Sequence, residues 1–159
     1  MYDDILLPTD GSDAADAAVE HAIDLAARYD ATLHVLYVAD TTEYSTVTFE
    51  DEVIDPLERE GEGVVDAVVE QADDRSVRAK GVVMQGGVFE TIQNYVADEG
   101  IDAVVMGTHG RRGLGRALLG SVTERVVRTS DVPVLTVRQT DDEDEEDTGA
   151  GTEASGARE

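Results

Sequence analysis

Five short, mostly apolar runs, each set apart from the next by an amphipathic or turn-forming stretch, constrain this chain more than anything else in it. They are Ile5 to Leu7, halted by Pro8, then Thr32 to Ala39, Val77 to Met84, Ile101 to Met106 and Val134 to Val137. Runs this short, apolar at successive positions, suit strands buried on both faces of a sheet. Between the first two, Ala15, Ala18, Val19, Ala22, Ile23 and Ala26 recur at spacings of three and four, which predicts a helix from about Ser12 to Tyr29. A second stripe, Val53, Leu57, Val64, Val65, Val68 and Ala72, predicts a helix over about Glu50 to Asp73, weakened by Gly61 and Gly63. A polar, Thr-rich loop is expected before it, from Asp40 to Thr48. Gly86-Gly87 opens a third helix, with Val88, Phe89, Ile92, Tyr95 and Val96 on one face, and Gly100 ends it. Val122, Val126 and Val127 mark the inner face of a fourth. Strict alternation of this kind predicts one α/β domain, a parallel sheet with helices on both faces.

After the fourth run comes GTHGRRGLGRALLGSVTE, Gly107 to Glu124. Its five glycines allow close approach of backbone to a ligand and positive φ where that is needed. Arg111, Arg112 and Arg116 add positive charge. Ser121 and Glu124 have the spacing of a capping box, which predicts Ser121 as the N-cap of a helix beside the glycine loop. Such an N-terminus is an anion site. In open α/β sheets ligands bind beyond the carboxyl ends of the strands, where strand order reverses. Pro8-Thr9-Asp10-Gly11 and Gly107 to Gly110 are the two candidate loops, and they face one another if their strands are neighbours.

Other fingerprints fail. A Walker A loop needs a lysine before Ser or Thr, and the only lysine is the distant Lys80. The dinucleotide pattern lacks its third glycine, with Leu118 in that place. No G-x-S-x-G elbow is present. On residue type alone, Asp10 is either a base contact or a turn residue. His109 is either a phosphate donor or a solvent-facing residue, while His21 and His34 read as structural. Arg125 and Arg128 read as last-turn residues complementing the helix dipole.

With 36 acidic and 12 basic residues, the chain has a net charge of -24. That charge disfavours nucleic acid and anionic membrane as partners. Near-absence of lysine beside so many acids suits a protein of concentrated salt, where screening is short-ranged; the alternative is an ordinary acidic protein with an acidic tail. Nine of the acids lie in Gln139 to Glu159, a stretch without apolar periodicity that is expected to be disordered. Five of the bases (Arg111, Arg112, Arg116, Arg125 and Arg128) fall within 18 residues, which suggests an anionic ligand there. There is no cysteine, and neither a leader-like N-terminus nor a membrane-length apolar run is seen, so a cytoplasmic protein is expected.

The pattern G-x-x-G, nine residues, then G-S (Gly107, Gly110, Gly120, Ser121), with the opening ILLPTDGS, the strand HVLYV and the closing SDVPVLTVR, resembles the ATP-binding branch of the universal stress protein family. The resemblance covers about residues 1 to 138 and leaves out the tail. It implies a Rossmann-like sheet of order 3-2-1-4-5. It also implies an ATP site in which Pro8, Thr9, Asp10 and Val38 line the adenine and ribose end, with Met106 and Gly107 beside the ribose. Gly110, Gly120, Ser121, Val122 and Thr123 would hold the phosphates, with His109 in the same loop. Mg or Mn would accompany the triphosphate, Asp10 being a candidate ligand. A homodimer through the fifth strand, Val132 to Val137, and an unidentified protein partner complete the expectation. The function implied is nucleotide-dependent regulation in a stress response, with no catalytic residue assigned. The alternative is a slow ATPase or nucleotidyl-transfer enzyme using the same pocket.

Overall fold

The structure, a computed structural model, describes residues 1–42, 50–110 and 118–140, with 50–55 described through their backbone alone. Most of the expected loop from Asp40 to Thr48, the residues Arg111, Arg112, Gly113, Gly115 and Arg116, and nearly all of the acidic tail lie outside the described residues. Among the described residues nine elements alternate: β1 (Asp4–Pro8), α1 (Asp13–Tyr29), β2 (Thr32–Asp40), α2 (Glu50–Asp74), β3 (Ala79–Gly86), α3 (Val88–Asp98), β4 (Ala103–Gly107), α4 (Ser121–Thr129) and β5 (Val134–Val137). The five strands form one parallel sheet in the order β3-β2-β1-β4-β5. Strand order reverses between β1 and β4, which lie side by side.

Two apolar layers hold the sheet. On one face Ile5, Leu7, Leu33, Val35 and Tyr37 pack under Ala18, Ala22 and Ile23 of α1 and Val65, Val68 and Ala72 of α2. On the other, Leu6, Leu36, Val104 and Met106 pack under Phe89, Ile92 and Tyr95 of α3 and Val126 of α4. Full burial of each such Leu, Ile or Val is worth roughly 1.5–3 kcal/mol, so these stripes decide which side of each helix faces inward. The boundaries of α1 follow its local chemistry. Ser12 accepts from the Ala15 N–H (3.2 Å), and Asp30 ends the helix in the left-handed region.

Several readings of the sequence need correction. Gly61 in α2 is not a mere weakness, because a Cβ there would lie 2.5 Å from the ring of Tyr37; the glycine lets the helix settle on that ring, whereas Gly63 faces open space. The third strand is covered less than expected, with Lys80, Met84 and Gln85 exposed, because β3 is an edge of the sheet. Val127 is 44% exposed rather than on the inner face of α4. His21 is an exposed residue of α1. Arg125 does not serve a helix end: its guanidinium carbon lies 3.8 Å from the centre of the Phe89 ring and its Nη1 3.6 Å from Glu90, so it ties α4 to α3. Arg128 does lie in the last turn of α4, paired with Glu124 at 2.6 Å.

Beneath the sheet, at the N-terminal ends of its strands, the buried His34 joins two elements. Its Nδ1 pairs with the Tyr95 hydroxyl (2.9 Å) and its Nε2 with Asp4 Oδ1 (2.8 Å). The Asp4 carboxylate can only accept while ionised, so Nε2 carries the proton and Tyr95 donates to Nδ1. Burial, then Glu99 and Asp4, push the Tyr95 hydroxyl up to about 12. Among the described residues no helix is long and apolar enough to cross a membrane.

Candidate functional site

The reversal between β1 and β4 opens a cavity of about 560 Å³ at the C-terminal ends of the strands, well within the size of small-molecule sites. One wall is the loop after β1. Thr9 donates its N–H to the Leu36 carbonyl (2.9 Å), which anchors the loop to β2, and its hydroxyl accepts from the Gly11 N–H (3.1 Å). Asp10 Oδ1 accepts from the Ser12 N–H (3.0 Å), so the side chain closes a turn on its own backbone. The turn reading of Asp10 is therefore met in the structure. Burial, then Asp13 and Asp10, raise the Asp16 carboxyl above its ordinary value.

The opposite wall is the start of the glycine stretch and the first turn of α4. The Thr108 N–H donates to the Val137 carbonyl (3.1 Å), and the Gly120 N–H donates back to the Thr108 carbonyl (2.8 Å), which brings the two ends of the loop together. Thr123, buried beneath, donates its hydroxyl to the Gly107 carbonyl (3.0 Å). Thr108 Oγ1 lies 3.2 Å from His109 Nδ1. The two walls touch: a Cβ on Gly110 would lie 2.5 Å from Asp10 Oδ2.

The capping box is not formed. The N-cap of α4 is Gly120, one residue earlier than predicted, with φ −62° and ψ 154° and no side-chain cap. Its carbonyl accepts the Glu124 N–H (2.9 Å), while the Glu124 side chain goes to Arg128. Ser121 is therefore the first helical residue, with an exposed side chain on the cavity wall. A helix leaves its first N–H groups without intrahelical partners. Those of Ser121, Val122 and Thr123 have none among the described residues. With the helix dipole behind them they favour a negative group.

All twelve predicted site residues line this one cavity. Pro8, Thr9 and Asp10 come from the β1 loop and Val38 from β2. Met106 and Gly107 end β4, His109 and Gly110 follow it, and Gly120, Ser121, Val122 and Thr123 open α4. Of the two reasons inferred for these glycines, one does not apply: positive φ among glycines of the described residues occurs at Gly11, Gly86 and Gly100, and not at Gly107, Gly110 or Gly120. These three are needed for room: a Cβ on Gly107 would lie 2.5 Å from the Ala14 carbonyl oxygen of α1, and one on Gly120 would lie 3.1 Å from His109 Cα.

Sequence reasoning missed the rest of the lining. Leu57 of α2 and Val88 and Ile92 of α3 read only as core, and Tyr37 and Asp40 were passed over. For Asp40 a signal was there, an acid placed directly at the carboxyl end of an apolar strand. Among the described residues no cluster of three or more His, Asp or Glu side chains forms a metal site.

The model of the universal stress protein family matches residues 1–138. The chain belongs to that family. The Universal stress protein MJ0531 of Methanocaldococcus jannaschii is 34% identical over 142 residues, covering 87% of this chain and 84% of that one. The structure of protein MJ0577 from the same organism, solved as a test case in assigning biochemical function from structure, superposes with a TM-score of 0.81 at 34% identity, covering 89% of this chain and 99% of the other. A more distant family protein of Arabidopsis thaliana, solved with AMP bound, shares the fold at 19% identity and a TM-score of 0.64, covering 91% of this chain and 97% of its own.

Proposed function

We propose that this universal stress protein binds an adenine nucleotide, ATP above all, and acts as a nucleotide-dependent homodimeric regulator. The observation that carries the reading is the start of α4: three N–H groups without a partner among the described residues, and the Ser121 side chain, on the wall of a cavity whose far end is apolar. Phosphates suit the first and a purine suits the second. AMP in the Arabidopsis protein supports the same use of the fold. Gly110, Gly120, Ser121, Val122 and Thr123 hold the phosphates in this reading, with His109 beside them. Met106 and Gly107 flank the ribose, and Pro8, Thr9, Asp10 and Val38 flank the base and ribose. Mg or Mn bound mainly by phosphate oxygens offsets the charge of the nearby Asp10. For the dimer, β5 is a free edge of four residues with Leu135 45% exposed, a surface suited to pairing with a second copy.

Purification in concentrated potassium chloride followed by chromatography of the released small molecules tests the first part; adenine nucleotide is expected. Gly110→Val drives a side chain against Asp10 and is expected to lower ATP affinity at least about a hundredfold, roughly 2.7 kcal/mol. Unchanged affinity in that variant removes the proposed phosphate placement. The net charge of -24 supports adaptation to salt, and melting temperature should fall on dialysis to low salt. A rise instead counts against it.

A further inference from the structure

Asp40 is the last residue of β2, and its carboxylate is oriented. Oδ1 accepts both the N–H (3.0 Å) and the hydroxyl (2.5 Å) of Thr42, while Oδ2 makes no bond to another described residue. The residue is partly buried and lines the cavity. It lies opposite Gly86 in the β2–β3 register, immediately before the N-cap of α3. By strand alternation it shares a face with Val38 and Leu36, the face covered by Val88 and Ile92. In the sheet order β2 is separated from β4 by β1, which puts it about 10 Å from the strand that leads to the phosphate wall. Asp40 thus stands at the apolar end of the cavity, away from the first N–H groups of α4.

We infer that Asp40 sets the base selectivity of the site, its Oδ2 accepting a hydrogen bond from the exocyclic amino group of adenine. The inference rests on the nucleotide reading above and extends it to a residue outside the twelve. An ionised carboxylate is an acceptor only. It matches an amino group and opposes the carbonyl oxygen that hypoxanthine carries at the same ring position, where two acceptors would face each other. The Thr42 bonds hold the carboxylate in one orientation, so the discrimination does not depend on ordering a loose side chain.

Asp40→Asn separates selectivity from folding. The amide oxygen can still accept from Thr42 and keep the turn, while the outer atom becomes an NH₂ donor. Calorimetric titration of the full chain with ATP and with ITP, wild type against Asp40→Asn, reads the effect. The wild-type protein is expected to bind ATP roughly tenfold or more tightly than ITP, and the variant to lose or invert that ratio with an unchanged melting temperature. If the ratio is the same in both proteins, whether or not the two affinities fall together, Asp40 does not read the base and the nucleotide reading survives alone. If the wild-type protein binds neither nucleotide, both readings fall.

Discussion

At the N-terminal end of the sheet, His34 bonds to both Asp4 and Tyr95, and Asp102 takes the N–H groups of Asp3 (2.8 Å) and Asp4 (3.0 Å). At the C-terminal end, the first N–H groups of α4 have no partner among the described residues, and one oxygen of Asp40 is likewise unused. The first set is closed on itself, and no side-chain polar atom buried among the described residues lacks a partner. Leaving a buried polar group unpaired costs about 1–3 kcal/mol, so unspent donors and acceptors persist only where water or a ligand can reach them. The contrast separates polar groups paired within the fold from those left open to water or a ligand.

The largest test of that contrast is Tyr95→Phe, which removes the donor to a buried imidazole nitrogen. A loss of about 2 kcal/mol in urea unfolding is expected, with ATP affinity unchanged; a variant as stable as the parent would mean that the closed end contributes nothing. Next come two serines at helix starts. Ser12 caps α1 and Ser121 caps nothing, so Ser12→Ala should cost about 1 kcal/mol of stability and Ser121→Ala only nucleotide affinity. Equal losses of stability in both would erase the distinction.

The smallest effect is expected at Asp102, whose carboxyl is held below the usual range by the Asp3 and Asp4 N–H groups, against a smaller opposing effect of burial. A depressed carboxyl pKa stabilises the fold above the unfolded value, about 4, and that contribution is lost as pH falls through the lower folded value. Asp102→Asn should therefore melt earlier than the parent at neutral pH, with the gap closing below about pH 4. A gap independent of pH would show that the charge of Asp102 is immaterial.

Much of the fold was legible because its signals are local. The stripe from Ala15 to Ala26 placed α1, Pro8 and Gly100 marked ends, and β5 was found at Val134–Val137 as read. The site was legible for the same reason, since ligand loops follow the carboxyl ends of strands and both carry turn residues. What escaped was contact between distant segments. Gly61 reads as a helix weakness until Tyr37 is seen beneath it, and the Ala14 carbonyl against Gly107 has no trace in the local sequence. The spacing of Ser121 and Glu124 fits a capping box, but Gly120 is held to Thr108 across the loop and the helix begins there.

The sequence by itself determined the alternation of strands and helices, the apolar face of most helices, and the two loops that meet at the cavity, because periodicity and turn chemistry act over a few residues. Only the tertiary structure decided that Asp10 lies against Gly110, that α4 starts uncapped, and that Asp40 stands at the apolar end. Each of these depends on which strands are neighbours, and that is settled by packing across the whole sheet.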